Sequence, residues 1–174
     1  MAAGEASGPS VTFIGFVYLH YARRNRLKYD FVSERLFENW REGRRAVRPE
    51  EVVRFAKQRY GPSALGRLRE STRRKIAGNV LSALRDFGVL TGTARKKIEQ
   101  PTLMSKAALH LCRLLYDEGL RGRRLTEASG WRLFLLTPEG VMAILAALAR
   151  QGAIRFEQAG RTVILELAED EARQ

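Results

Sequence analysis

Apolar residues recur along this chain at helical spacing over most of its length, with two short stretches of strand-like alternation. Residues 12–25 predict a first helix that is apolar nearly all round. Phe13, Phe16, Val17 and His20 form one face with Ile14, Tyr18 and Tyr21 close by, so this helix is expected at the centre of its domain. A second helix is predicted over 29–42, where Val32, Leu36 and Trp40 fall every fourth residue beside Phe37, and Gly43 supplies a stop. Pro49 followed by Glu50 and Glu51 opens a third, with Val52, Val53, Ala56 and Tyr60 inward and Gly61-Pro62 closing it.

Ser71 reads as the N-cap of a fourth helix whose buried stripe is Ile76, Ala77, Val80, Leu81 and Leu84, ending at Gly88. Val89 and Leu90, a turn at Gly92, and the run from Arg95 to Ile98 then have hairpin character. A fifth helix is predicted over 105–118, followed by a basic loop at Arg121, Arg123 and Arg124 and a shorter helical stretch after Thr126. Thr137, Pro138 and Glu139 combine an N-cap, an N1 proline and a first-turn acid. The helix they open carries Val141, Ile144, Leu145 and Leu148 and stops at Gly152. A hairpin follows, with Ile154 and Phe156 in one strand, Gly160 in the turn, and Val163, Leu165 and Leu167 alternating in the return strand.

Shifting the fourth helix by 64 places lays Ala77, Val80, Leu81, Leu84 and Gly88 onto Val141, Ile144, Leu145, Leu148 and Gly152. The expected fold is therefore mainly α: a helical bundle with two winged helix-turn-helix-like modules, each ending in a short β-hairpin. The expected division is a flexible leader at 1–10, an N-terminal helical domain with a basic wing at 11–103, a C-terminal winged-helix-like domain at 104–168, and an acidic tail at 169–174.

Charge narrows the function. Lys and Arg number 31 against 19 Asp and Glu, a net charge of +12 on a chain that is 45% hydrophobic and so able to build a core. Polyanions are the natural partners, nucleic acid before an anionic membrane surface. The cations cluster at Arg23–Lys28, Arg41–Arg48, Arg67–Lys75, Arg95–Lys97 and Arg121–Arg124. Arg73, Arg74 and Lys75 are expected in the first turn of their helix, where cations oppose the helix dipole unless phosphate docks there. A reading helix presents this end to a groove, and Arg95, Lys96 and Lys97 would then be wing residues along the backbone. The expected DNA-contacting set is Arg44, Arg45, Arg67, Arg69, Ser71, Thr72, Arg73, Arg74, Lys75, Arg95, Lys96 and Lys97. The last helix ends with its only cation, Arg150, and shows Met142, Ala143, Ala146 and Ala147, a surface suited to packing against protein.

Catalysis is not expected. The chain has no GxxxxGK[ST] loop, GxSxG elbow or HExxH motif. His20 and His110 read as core or edge residues, without a Cys or His partner at ligand spacing, so neither metal nor cofactor is expected. Glu34, Glu38, Asp86, Asp117 and Glu118 read as helix-surface acids. Cys112, two residues from His110 on one helix, points away from it and makes no dyad. One cysteine permits no internal disulfide, which fits a cytoplasmic protein. The apolar run 11–22 is too short to span a bilayer, and no secretory signal is read at the N-terminus.

The stretch from Tyr18 to about Gly119 resembles BrxA, a small protein of bacterial BREX phage-defence systems. The resemblance lies in Tyr29, Asp30, Phe31 and Val32 leading to Trp40 and Gly43, in the helix from Pro49 to Tyr60, and in Ser71, Thr72, Arg73, Arg74 and Lys75 followed by Leu84, Phe87, Gly88, Val89 and Leu90. It implies a cytoplasmic, mostly helical protein with helix-turn-helix-like domains that binds duplex DNA beside a methyltransferase, an ATPase and other BREX partners. The expected function is a non-enzymatic double-stranded DNA-binding accessory protein gripping phosphates. A sequence-specific winged-helix repressor, which would read bases through Asn79, Arg73 or Arg74 as a homo-oligomer, and a protein-assembly adaptor are the alternatives.

Overall fold

The computed structural model describes residues 10–66, 68–160 and 162–167. The expected leader apart from Ser10, the acidic tail and Arg67 lie outside the described residues. The protein is mainly helical, with two small antiparallel sheets.

Helix α1 (Val11–Arg23) starts at Ser10, whose hydroxyl accepts from the Phe13 N–H. Its buried face is Gly15, Tyr18, Leu19 and Ala22, not the expected Phe13, Phe16, Val17 and His20. Phe13 is 58% and Val17 39% exposed. In a helix apolar all round, hydrophobicity cannot say which stripe faces in; Gly15 decides it, because a Cβ there would press to 3.3 Å of Ala107 Cβ and so marks the close approach of the helix that carries Ala107.

The expected helix 29–42 is part of a longer run: α2 (Arg26–Asp30), a π-helical turn (Phe31–Leu36) and α3 (Phe37–Arg41). Phe31, Val32, Leu36 and Phe37 fill the core. The wide turn also buries polar groups, each with a partner. Ser33 Oγ donates to the Tyr29 carbonyl at 2.8 Å, and Tyr60 donates its hydroxyl to Asp30 Oδ2 at 2.8 Å.

After β1 (Ala46–Val47) comes α4 (Pro49–Tyr60), with proline at its first position and a capping box in which Glu51 Oε1 accepts from the Arg48 N–H. α5 (Glu70–Asp86) buries Ala77, Val80, Leu81 and Leu84 and packs on α4. Its N-cap is Arg69, and no side chain caps it, so the expected capping role of Ser71 is corrected. β2 (Leu90–Thr91) and β3 (Lys96–Ile98) form the expected hairpin. β1 adds a third strand on the far side of β3, giving the order β1-β3-β2 with Ala46 opposite Lys97 and Leu90 opposite Ile98.

α6 (Ser105–Asp117) leads into α7 (Gly122–Thr126), which takes Arg123 and Arg124 out of the expected loop, and a 3₁₀ segment (Ser129–Phe134). α8 (Pro138–Arg150) has the expected Thr137 cap, its hydroxyl accepting from the Gly140 N–H, and is followed by the antiparallel pair β4 (Ile154–Ala159) and β5 (Thr162–Leu167).

The 64-residue echo holds at atomic detail. Gly88 and Gly152 take φ of +77° and +71°, the left-handed region that glycine enters without a Cβ penalty. The next residue then reaches back to the helix: Val89 N–H to the Leu84 carbonyl at 2.9 Å, and Ala153 N–H to Leu148 at 3.0 Å. One contiguous core links the two halves, from Tyr18 and Leu36 through Leu81 and Leu111 to Trp131. Within it Tyr18 donates to the Leu133 carbonyl at 2.8 Å and Trp131 Nε1 to Leu125 at 2.9 Å, so neither ring buries an unpaired polar atom. No single helix among the described residues is long and apolar enough to cross a membrane.

Candidate nucleic-acid interface

Arg73, Arg74 and Lys75 oppose the helix dipole strongly only from the first turn of α5. The structure corrects their expected place there: Glu70, Ser71 and Thr72 fill the first three positions, and the triplet follows them. The dipole is therefore answered by Glu70, and the cations stand on the flank of the helix start. Arg69, Ser71, Thr72, Arg74 and Lys75 are exposed, and Arg73 is half-buried.

Many of the basic clusters are spent on the chain's own groups. Arg23 pairs with Glu118, Arg59 with Glu34 at 3.1 Å and Arg123 with Glu127 at 2.6 Å. Arg44 pairs with Glu42 and donates from Nε and Nη2 to Oδ1 of buried Asn39, at 3.1 and 3.0 Å. Arg45 donates to the Trp40 carbonyl at 2.8 Å and lies 3.6 Å from the centre of its ring. Both arginines thus brace the turn into β1. The Arg45 carbonyl also accepts from the Ile98 N–H at 2.7 Å, so that turn is bonded to β3.

Other cations stay outside such pairs, some scattered, as Arg24, Arg54, Lys106, Arg124 and Arg150 are, and some gathered around α5. Among the described residues, Lys57, Arg69, Arg73, Lys75, Arg95 and Lys97 make no ion pair. Lys96 donates only to the Thr93 carbonyl at 3.0 Å, within its own turn. These cations occupy the start of α5, the neighbouring face of α4, and the β2–β3 hairpin. α5 has 17 residues, so its two ends stand about 25 Å apart, and the charge at its start and the charge on the hairpin after it are separate patches.

Where the starts of α4 and α5 meet, Pro49, Glu50, Val53, Lys57, Glu70, Arg73 and Arg74 line a solvent-open cleft of about 290 Å³. Arg74 Nη2 bonds Glu70 Oε1 at 3.3 Å, an exposed pair one turn apart. Arg73 Nε is buried and has no hydrogen-bond partner among the described residues. Lys57 and Glu70 are absent from the residues expected to form the interface. Glu50, Val53 and Lys57 share one face of α4 by the three-and-four spacing, which is the signal that could have grouped Lys57 with this cleft.

On α8 the exposed surface includes Ala143 and Arg150, with Met142, Ala146 and Ala147 half-buried. His20 and His110, expected as core or edge residues, meet with their Nε2 atoms 2.9 Å apart. No group of three or more His, Cys, Asp or Glu among the described residues is placed to hold a metal.

A family model described as BrxA matches residues 5–113, well over half of the chain, from α1 into α6. No curated protein and no solved structure matches it.

Proposed function

Because the chain belongs to the BrxA family, which is associated with BREX phage defence, we propose that it is a non-enzymatic accessory protein that binds double-stranded DNA mainly through phosphate contacts. The observation that carries this reading is where unpaired charge gathers: Arg69, Arg73 and Lys75 at the start of α5 and Arg95 and Lys97 on the hairpin that follows it make no ion pair among the described residues.

The order α3, β1, α4, α5, β2, β3 with strands arranged β1-β3-β2 supports reading residues 11–103 as a winged helix-turn-helix domain. In that reading α5 enters the major groove and Arg95, Lys96 and Lys97 ride the backbone on the wing. Arg69, Ser71, Thr72, Arg74 and Lys75 stand around the start of α5 as phosphate contacts, and Arg67 continues that basic segment in sequence. Arg44 and Arg45 act by bracing β1. The second helix-glycine-hairpin unit, within 104–168, shows no comparable cationic patch on α8, and its alanine-rich side is assigned to contact with protein, such as a methyltransferase or ATPase of the same system. The protein works in the cytoplasm, where its duplex is.

The test is the salt dependence of binding to a short duplex of arbitrary sequence. Neutralising six to ten phosphates makes affinity fall by about 10³ to 10⁵ between 50 and 200 mM salt. A flat response overturns the reading. Asn79, exposed midway along α5, favours the repressor as second reading. Strong resistance to competition by unrelated duplex would select it.

A further inference from the structure

The cleft between α4 and α5 has the makings of a seat for one anionic group. Arg73 brings a buried N–H donor that nothing in the described structure satisfies. A buried donor of a charged group without an acceptor is an exception that calls for a partner. Arg74 lines the α5 wall beside Arg73 and Lys57 lines the α4 wall, so three cations border an opening that a chain-linked group can enter from solvent. Guanidinium groups match the oxygens of phosphate with parallel hydrogen bonds, and phosphate brings acceptors only.

The seat is also guarded. Glu70 holds Arg74, and both side chains are well exposed, so the pair is weak and water can replace it. Glu50 lies on the opposite wall and pairs with no cation among the described residues. Building on the duplex-binding reading, we propose that this cleft seats one backbone phosphodiester on Arg73, Arg74 and Lys57, and that Glu70 is its internal competitor, engaging Arg74 until DNA displaces it.

The proposal separates two carboxylates that bulk electrostatics would treat alike. Glu70→Gln and Glu50→Gln remove the same charge from the same cleft, but only the first releases Arg74. Duplex affinity, read by anisotropy of a labelled duplex, is expected to rise several-fold more in E70Q than in E50Q, and this advantage should vanish when Arg74→Gln is present. Arg73→Gln should weaken binding about tenfold and lower the salt slope by about 1. Arg73→Lys, which keeps the charge but loses Nε, should bind at an intermediate level if it melts like wild type. Equal effects of E70Q and E50Q, or wild-type affinity and slope in R73Q, overturn the seat while leaving duplex binding intact. A wild-type protein that fails to bind duplex overturns both.

Discussion

The Nε2 atoms of His20 on α1 and His110 on α6 lie 2.9 Å apart, joining positions 90 residues distant in the chain. Burial, then the charges of His20, Arg113 and Arg23, hold the pKa of His110 below its usual value. The unfolded chain takes up that proton near the ordinary value of about 6.5; the folded chain resists it. Stability from this contact is therefore complete above that pH and lost as pH falls from about 6.5 towards the folded pKa. Denaturant midpoints should drop between about pH 7.5 and 5.5, and His110→Gln should flatten the decline. An unchanged pH slope in that variant would show that the pair does not matter.

Tyr60 anchors the end of α4 to the start of the π turn. Its hydroxyl meets Asp30 Oδ2 at 2.8 Å, while Arg26 and Arg59 stand further off at 3.7 and 3.9 Å. Burial and the neighbouring carboxylate push the phenol's pKa well above its usual value, so it stays a donor. Tyr60→Phe leaves a carboxylate only 12% exposed without its closest partner. The expected cost is about 1.5–3 kcal/mol, read as a lower urea midpoint with an unchanged m-value. A loss below about 0.5 kcal/mol would mean that water replaces the phenol freely.

Gly92 makes the turn between β2 and β3. It has φ of +81°, and a Cβ there would run into the Arg95 carbonyl oxygen. Gly92→Ala should cost on the order of 1–3 kcal/mol and displace Lys96 and Lys97. If the hairpin contacts DNA, affinity measured well below the melting temperature should fall although the helices remain folded by circular dichroism. Loss of stability with duplex affinity intact would take the hairpin out of the interface.

Cys112 sits fully buried on α6, and burial pushes its thiol up to about 12. At neutral pH it is neither ionised nor reachable. Its modification by a disulfide reagent should track global unfolding, following the denaturation curve monitored by the fluorescence of Trp40 and Trp131. Fast labelling of the native protein would contradict the packing of α6.

Much of the fold was legible because it is written in local chemistry. Pro49 and Pro138 can stand at first helical positions at no hydrogen-bond cost, Gly88 and Gly152 can take the left-handed caps, and the stripes between them have one period. Where local signals were equal, reading failed. α1 offers apolar residues on every side, so its buried face depended on the partner helix. Ser71 and Arg69 compete for one boundary, and the helix starts after Arg69, with no side chain capping it. β1 is two residues long and exists only because β3 bonds it.

The candidate interface divides in the same way. The sequence by itself determined that cations would gather around α5 and the following hairpin, since charge and helix limits are properties of neighbours in the chain. Which cations are answered across elements was decided by the tertiary structure: Arg23 is answered by Glu118 from 95 residues away, and Arg59 by Glu34 from 25. Pairs one helical turn apart, such as Arg74 with Glu70, can be read from spacing, but pairing between elements depends on distances in space that no spacing along the chain can state.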